Sequence, residues 1–347
     1  MLYMYFITEP KSKKEDFFNY EYEYAEIKKA MARKEKIIAV LGVRRVGKTS
    51  LLNILYNETK GLKVWLDGRI ISNPKKEIFS AIYDVIKTGK SKIFGKIESL
   101  NISAFGVGIN VKISAGSLLE IENKIRKADQ IYVFIDEAQK TDPSDLADVL
   151  SYFYDRFPNV FFVISGSEIG LIETVLGENN SEHPLYGRHI TKIFMNRLDK
   201  SKGFEFLKQG FEQLKIKVKE DEIYEAIDKL DGLIGWLTLY GYERGIIKNE
   251  KALEKTTEIA SQIVAAELAN FLKITKNRKL YLTILREANG ITWSELKIRT
   301  EHEIGKKLNP NSFTSTLEKL VDYSFLEKKD DKYYLADPLL LKASFLV

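Results

Sequence analysis

The sequence predicts an α/β protein built around a parallel sheet with helices on both faces. Two observations point there. The runs "KIIAVL" (36–41), "IYVFIDE" (131–137) and "NVFFVISGSE" (159–168) are short, β-branched or aromatic, and lack polar alternation. That is the signature of strands buried on both sides, as parallel strands are. Each ends in Gly, Ser or acidic residues, and segments with helical spacing separate them. A fourth run, "LKVWLDGR" (62–69), reads as a further strand. At 347 residues the chain exceeds one comfortable core, so more than one domain is expected.

Composition removes several chemistries. There is no cysteine, so disulfides, thiolate metal sites and thiol nucleophiles are excluded. Three scattered histidines, His183, His189 and His302, do not suggest a metal cluster. No apolar run approaches the roughly 20 residues that span a bilayer. The short apolar stretch at the N-terminus precedes its lysines, the reverse of a signal peptide, so a cytoplasmic protein without membrane contact is expected. Net charge is +5, and residues 270–347 hold 14 Lys/Arg against 10 Asp/Glu, which is +4 of it. A mild basic bias of this kind permits nucleic-acid binding without requiring it.

Residues 42–50 read "GVRRVGKTS". Gly42, Gly47, Lys48 and Thr49 match G-x-x-x-x-G-K-[ST], a pattern expected by chance in about one chain of this size in a hundred. The flanks make it specific. A buried strand enters the loop, and "KTSLLNILYNET" leaves it as a helix, with Leu51, Leu52, Leu55 and Tyr56 at helical spacing. Such a loop curls so that the backbone N–H groups of Gly42, Val43, Arg44, Arg45, Val46 and Gly47 face phosphate oxygens. The helix N-terminus adds positive potential. Lys48 is expected on the β- and γ-phosphates, Thr49 on Mg²⁺, and Ser50 beside the α-phosphate. The side chains of Arg44 and Arg45 read either as solvated or acid-paired, or as contacts to nucleotide or a partner.

Phosphate chemistry of this type also needs carboxylates, one toward Mg²⁺ and one to polarise water. "IYVFIDE" places Asp136 and Glu137 at the C-terminal end of a strand, where open α/β sheets bind ligands. Asp136 is the expected Mg²⁺ residue and Glu137 the expected general base. Ser165, Gly166 and Ser167 end the next strand. They either position the attacking water or sense the γ-phosphate, or they form an ordinary strand-end turn.

The segments "GVRRVGKTSLL", "VFIDEAQ", "VFFVISGS" and "PLYGR" (184–188), in this order, resemble the archaeal ATPase family. That family is a STAND-type, AAA+-related branch of the P-loop ATPases. The resemblance implies ATP or ADP with Mg²⁺ as the ligands. It also implies a parallel-sheet P-loop NTPase core of AAA+-like type, a helical lid and a C-terminal winged-helix domain. Arg188 resembles the family's arginine near the γ-phosphate, a role suited to a bidentate, permanently charged fork; a structural ion pair is the alternative. The segment "FNYEYEYAEI" (18–27) resembles the family's adenine-side signature, although Asn19 and Tyr20 replace a Gly and an Arg. Phe18 or Tyr20 is therefore expected to stack on the base. "DGLIGWL" (231–237) resembles the lid signature, with Gly235 at a proline position and a further adenine contact implied there.

The expected organisation is an ATPase core at 1–195 with an N-terminal adenine-side segment, a helical lid at 196–268 and a winged helix at 269–347. Strict alternation in "ISAFGVGINVKI" (102–113) suggests an inserted hairpin, or a glycine-rich loop. In the C-terminal part, "NPNSFTSTLEKLVDYSF" is the expected recognition helix and "LEKKDDKYYLADP" the wing, turning at Asp330-Asp331. The helix offers Asn309, Asn311, Ser312, Thr314 and Ser315 to a groove. Lys306, Lys307, Lys328, Lys329 and Lys332 would supply phosphate affinity. The functional expectation is a slow ATPase acting as a nucleotide-controlled regulatory switch. The alternative is a nucleotide-gated DNA-binding protein in which hydrolysis is incidental. A small-molecule phosphotransferase is disfavoured, since no acceptor domain is visible.

Overall fold

A computed structural model describes residues 5–94, 115–177 and 180–347. The segment 102–113 lies outside the described residues.

Six strands form one parallel sheet: β1 (Ile37–Leu41), β2 (Leu62–Asp67), β3 (Lys92–Phe94), β4 (Ile131–Asp136), β5 (Val160–Gly166) and β6 (Thr191–Phe194). Their spatial order is β3-β2-β4-β5-β1-β6. Four of these strands are the apolar runs legible in the sequence. β3 and β6 are not, because edge strands of three and four residues carrying lysines show no buried run. Parallel pairing needs a crossover for every connection, and helices such as Lys48–Glu58, Pro74–Thr88 and Pro143–Arg156 supply it.

Both faces of the sheet are covered. Ile38, Val40, Phe134 and Val163 point into one core, while Ile37, Ala39, Leu41, Ile135 and Ile164 point into the other. Period-2 alternation thus divides each strand between two apolar layers, which is why the strands read as continuous apolar runs. β5 lies between the glycine-loop strand β1 and the acidic strand β4, with Val40 opposite Ser165 and Ile135 opposite Ile164. The C-terminal tips of all three therefore open onto one edge.

Helices Lys200–Gln213, Glu220–Leu230, Ile234–Gly241 and Ala252–Lys273 follow. Phe6 from the N-terminal segment is buried among them, against Phe206 and Phe211. Two glycines make its room: a Cβ on Gly210 or on Gly241 would come within 2.2 Å of the Phe6 ring. Around this anchor, Tyr5 and residues 7–11 and 16–18 line the cleft described below.

The chain ends in helices Arg278–Glu287, Trp293–Ile304 and Pro310–Asp322 with a three-stranded antiparallel sheet. Its strands are β7 (Ile291–Thr292), β8 (Leu326–Lys329) and β9 (Lys332–Leu335), in the order β7-β9-β8. Thr292 and Glu295 form a capping box, each side chain bonding the other's backbone N–H. Asp330 and Asp331 both adopt positive φ, which closes the β8–β9 hairpin in two residues. The C-terminal end of helix Pro310–Asp322 rests on the parallel-sheet body. Gly170 approaches so close to Asp322 that a Cβ would sit 2.2 Å from its carboxylate, and Ile169 N–H donates to Ser324 Oγ at 3.2 Å. No helix of the described residues is long and apolar enough to cross a membrane.

Candidate active site

β1 delivers the chain into the loop 42–47, and the loop's geometry explains its glycines. A Cβ on Gly42 would lie 2.3 Å from the Met195 carbonyl oxygen. Gly47 has φ +96°, open to glycine at little cost, and leads directly into helix Lys48–Glu58. Arg45 also holds positive φ, at 69°, without being glycine. Its strain of about 1 kcal/mol is offset by a bond from Gly235 N–H to Arg45 O at 2.9 Å. Lys48 folds back over the loop, donating to Gly42 O and Val43 O at 2.8 Å each. Val46 is fully buried beneath it. Burial drives the Lys48 pKa down to about 8, against the opposing pull of Glu137 and Asp136, while Arg44 and Arg45 add to the lowering.

Across the sheet edge, Thr49 Oγ1 donates to Asp136 Oδ2 at 2.9 Å, so the two expected magnesium residues meet. Ser165 donates to the other Asp136 oxygen. Burial raises the Asp136 pKa, and the neighbouring Glu137 and Asp67 add to it, against the hydrogen bonds from Ser165 and Thr49. Glu137 has φ 50°, and its N–H donates to Ser165 Oγ at 3.2 Å. Ser167 Oγ donates to the Glu137 carboxylate at 2.9 Å, and Gln139 Nε2 donates to the same oxygen. Burial pushes the Glu137 pKa up, but Lys48, the two hydrogen bonds and Arg44 together outweigh it and hold the carboxyl below its ordinary value. Glu137 is therefore an oriented carboxylate at neutral pH. Ser165 and Ser167 are the groups that orient Asp136 and Glu137.

These residues open into a cleft of about 800 Å³, within the range of nucleotide-sized ligand sites. Lys48, Thr49, Ser50, Arg69, Glu137 and Ser167 line it, as do Tyr5, Ile7, Phe17, Phe18, Phe206 and Gly235. Phe18 and Gly235 are thus both part of the cleft lining. Tyr20 is not: it caps helix Glu21–Ala32 with φ 66°, its hydroxyl donates to Asn196 O at 2.7 Å, and it is outside the cleft lining. Phe17, stacked obliquely on Tyr20 at 5.7 Å, is the aromatic that faces the cleft beside Phe18. The left-handed residues Asn19 and Tyr20 turn the chain there, a change of direction that residue spacing does not reveal.

Arg188 is also displaced from its expected place. Its guanidinium forms a two-pronged pair with Asp155, at 3.0 and 2.7 Å, and donates to Pro184 O. It lies beside Tyr154 and not in the cleft. Within this chain it is a structural ion pair.

Arg44 and Arg45 line the cleft, and so do most of the groups that hold them, Glu168, Glu267, Tyr323, Phe325 and Trp236. Arg44 pairs with Glu168, comes within 3.5 Å of Glu267, donates to Tyr323 O at 3.1 Å and covers the Phe325 ring. Arg45 pairs with Glu267 at 2.6 Å, lies 3.7 Å from Asp337, and stacks 4.1 Å over Trp236. The tip of the glycine loop is thus tied to helix Ala252–Lys273 and to the C-terminal part. Lys11 is a further residue that the motifs do not mark. Its N–H donates to Ser50 Oγ at 3.0 Å and its side chain lines the cleft.

Comparisons with known proteins bear on the family and the fold. Residues 17–238, more than half of the chain, match a family model described as an ATPase domain predominantly from Archaea. The chain is similar to the Walker-type ATPase PABY2304 of Pyrococcus abyssi, with 28% identity, 99% of this chain and 100% of that chain covered, and a TM-score of 0.80. Two more distant likenesses have TM-scores below 0.5. One is the RuvB Holliday junction branch migration motor of Thermotoga maritima, at 12% identity, 96% coverage of each chain and a TM-score of 0.44. The other is the STAND protein PH0952 of Pyrococcus horikoshii with a tetratricopeptide repeat sensor. It shows 13% identity, 96% of this chain and 43% of that chain covered, and a TM-score of 0.42. No curated protein sequence matches. The glycine loop with Lys48, the acidic pair at the tip of β4 and the family match lead to one conclusion: the chain belongs to the P-loop ATPase family found predominantly in Archaea.

Proposed function

We propose that this ATPase works as a nucleotide-controlled switch in which the loop that binds phosphate also holds the C-terminal part in place. The single observation that carries this reading is the placement of Arg44 and Arg45. They are loop residues flanking the phosphate site, and they make ion pairs or hydrogen bonds to Glu168, Glu267, Asp337 and the Tyr323 carbonyl. A bound triphosphate brings negative charge next to both arginines and competes with those acids for them. In this reading residues 196–268 form a helical lid and residues 269–347 a winged helix, the output of the switch.

The chemistry follows from the site. Glu137, ionised and held by Ser167 and Gln139, takes a proton from water as the water oxygen attacks the γ-phosphorus. The bond from that phosphorus to the β–γ bridging oxygen breaks, leaving ADP and phosphate. Lys48 offsets charge on the β- and γ-oxygens. Thr49 and Asp136 fit Mg²⁺, because a hydroxyl and a carboxylate 2.9 Å apart are both hard oxygen donors. Bound there, the ion would neutralise phosphate charge.

Removing both loop arginines (Arg44→Ala with Arg45→Ala) tests the coupling in the nucleotide-free protein. Backbone hydrogen exchange across residues 323–340 is expected to speed up at least about tenfold, the equivalent of one lost ion pair of ~1.4 kcal/mol. Unchanged exchange would remove the arginines from this role.

The DNA-binding reading is favoured by the exposed first turn of helix Pro310–Asp322, where Asn311, Ser312 and Ser315 face outward. Much of the expected surface is engaged elsewhere. Asn309 caps the helix, Thr314 accepts from Trp293 Nε1, and Lys307, Lys328 and Lys329 pair with Glu301, Asp331 and Glu327. Duplex binding by the full chain that weakens steeply with salt would favour this reading, and none at low salt would sink it.

A further inference from the structure

We propose that Arg69 is the arginine that neutralises charge on the terminal phosphate during hydrolysis, in the place where the sequence suggests Arg188. This rests on the reading that the triphosphate lies between Lys48 and Glu137. Arg69 follows β2, and Asp67 at the tip of β2 pairs in register with Asp136. The turn between them is pinned to the acidic strand: Gly68 N–H donates to Asp136 O at 2.8 Å. Position 68 must be glycine, since a Cβ would lie 2.2 Å from the Glu137 carbonyl oxygen. Arg69 is thereby placed among the residues that line the cleft together with Lys48, Thr49 and Glu137.

Its orientation is set as well. Asp67, almost fully buried, accepts from Arg69 Nε at 2.9 Å and Nη2 at 2.5 Å, and also from Arg69 N–H at 3.0 Å. The Arg69 side chain remains 56% exposed, so as a stabilising pair this arrangement contributes little. A guanidinium aimed by a buried carboxylate at the edge of a phosphate site is better explained by the ligand it meets. Each cleft cation besides Lys48 has a partner: Arg44 and Lys140 share Glu168, Arg45 holds Glu267, and Lys11 donates to Ile7 O, but only the partner of Arg69, Asp67, pairs in register with Asp136. Arg69 stands next to the acidic pair, and its charge interacts with both Asp136 and Glu137.

The test is steady-state and single-turnover hydrolysis by the full chain carrying Arg69→Ala or Arg69→Lys, with ADP affinity measured alongside. The expected result for Arg69→Ala is a fall in kcat of about 10²-fold or more, with ADP Kd within about threefold. Arg69→Lys should lie between wild type and alanine, because it restores charge but not the fork. A kcat within about threefold of wild type would overturn the proposal, as would an equal loss of ADP affinity. If the alanine variant fails to fold, the lysine variant decides alone. The site reading itself fails separately, by Lys48→Ala retaining full ATP affinity.

Discussion

Lys48→Ala is expected to weaken ATP binding by at least about 100-fold and to leave hydrolysis near background. Charge-assisted hydrogen bonds contribute roughly 1.5–3 kcal/mol each, and one ammonium between two phosphates makes at least one such bond to each. At ~1.4 kcal/mol per tenfold, two bonds correspond to a loss of about 10² to 10⁴ in affinity. The side chain is buried and already turned over the loop, donating to Gly42 O and Val43 O. Little side-chain entropy is then lost on binding, which keeps the expected effect large. Calorimetric titration with ATP and with ADP checks it, with melting temperature as the control for folding. Both nucleotides should weaken, ATP more.

Glu137→Gln is expected to separate binding from chemistry. Nucleotide affinity should stay within about threefold of wild type, because the amide keeps the shape and can still accept from Ser167. Hydrolysis should fall by about 10² to 10⁴, the usual contribution of a positioned general base. Single-turnover measurement at saturating ATP isolates the chemical step. Unimpaired turnover would take Glu137 out of the base role despite its orientation by Ser167 and Gln139.

The parts of this site legible in sequence are the local ones. The glycine loop is eight residues whose backbone demands are visible residue by residue. Asp136 and Glu137 are legible because a buried strand ends in them, and open sheets bind ligands at that end. The partners of Arg44 and Arg45 are another matter. Arg45 reaches Glu267, 222 residues on, and an ion pair over that distance leaves no periodic trace. Arg188 went to Asp155, on helix Pro143–Arg156, for the same reason: an arginine's type says what it can bind, not which acid lies nearest. In the segment where the sequence suggests an adenine contact, two left-handed residues redirect the chain, so that Phe17 and not Tyr20 lines the cleft. Arg69 carried no motif. Its significance appears only with the pairing of Asp67 beside Asp136.

Elsewhere the sequence and the fold agree because consistent signals reinforced each other. Strands β1, β4 and β5 are apolar runs buried on both faces, while β2 opens with the half-buried Leu62 and Lys63 before its buried residues. The capping box at Thr292 and Glu295 likewise shows in the sequence as Thr-x-x-Glu. Edge strands β3 and β6 have one neighbour each, need less apolar surface, and carry correspondingly weak signals.

In the proposed switch, nucleotide in the cleft is read by the C-terminal part through the loop arginines. Hydrogen exchange across residues 323–340 in the Glu137→Gln protein, with and without saturating ATP, tests it most directly. Faster exchange is expected when ATP is bound, as phosphate draws Arg44 and Arg45 from Glu267, Asp337 and the Tyr323 carbonyl. Identical exchange in both states, with ATP occupancy verified by calorimetry, would contradict it.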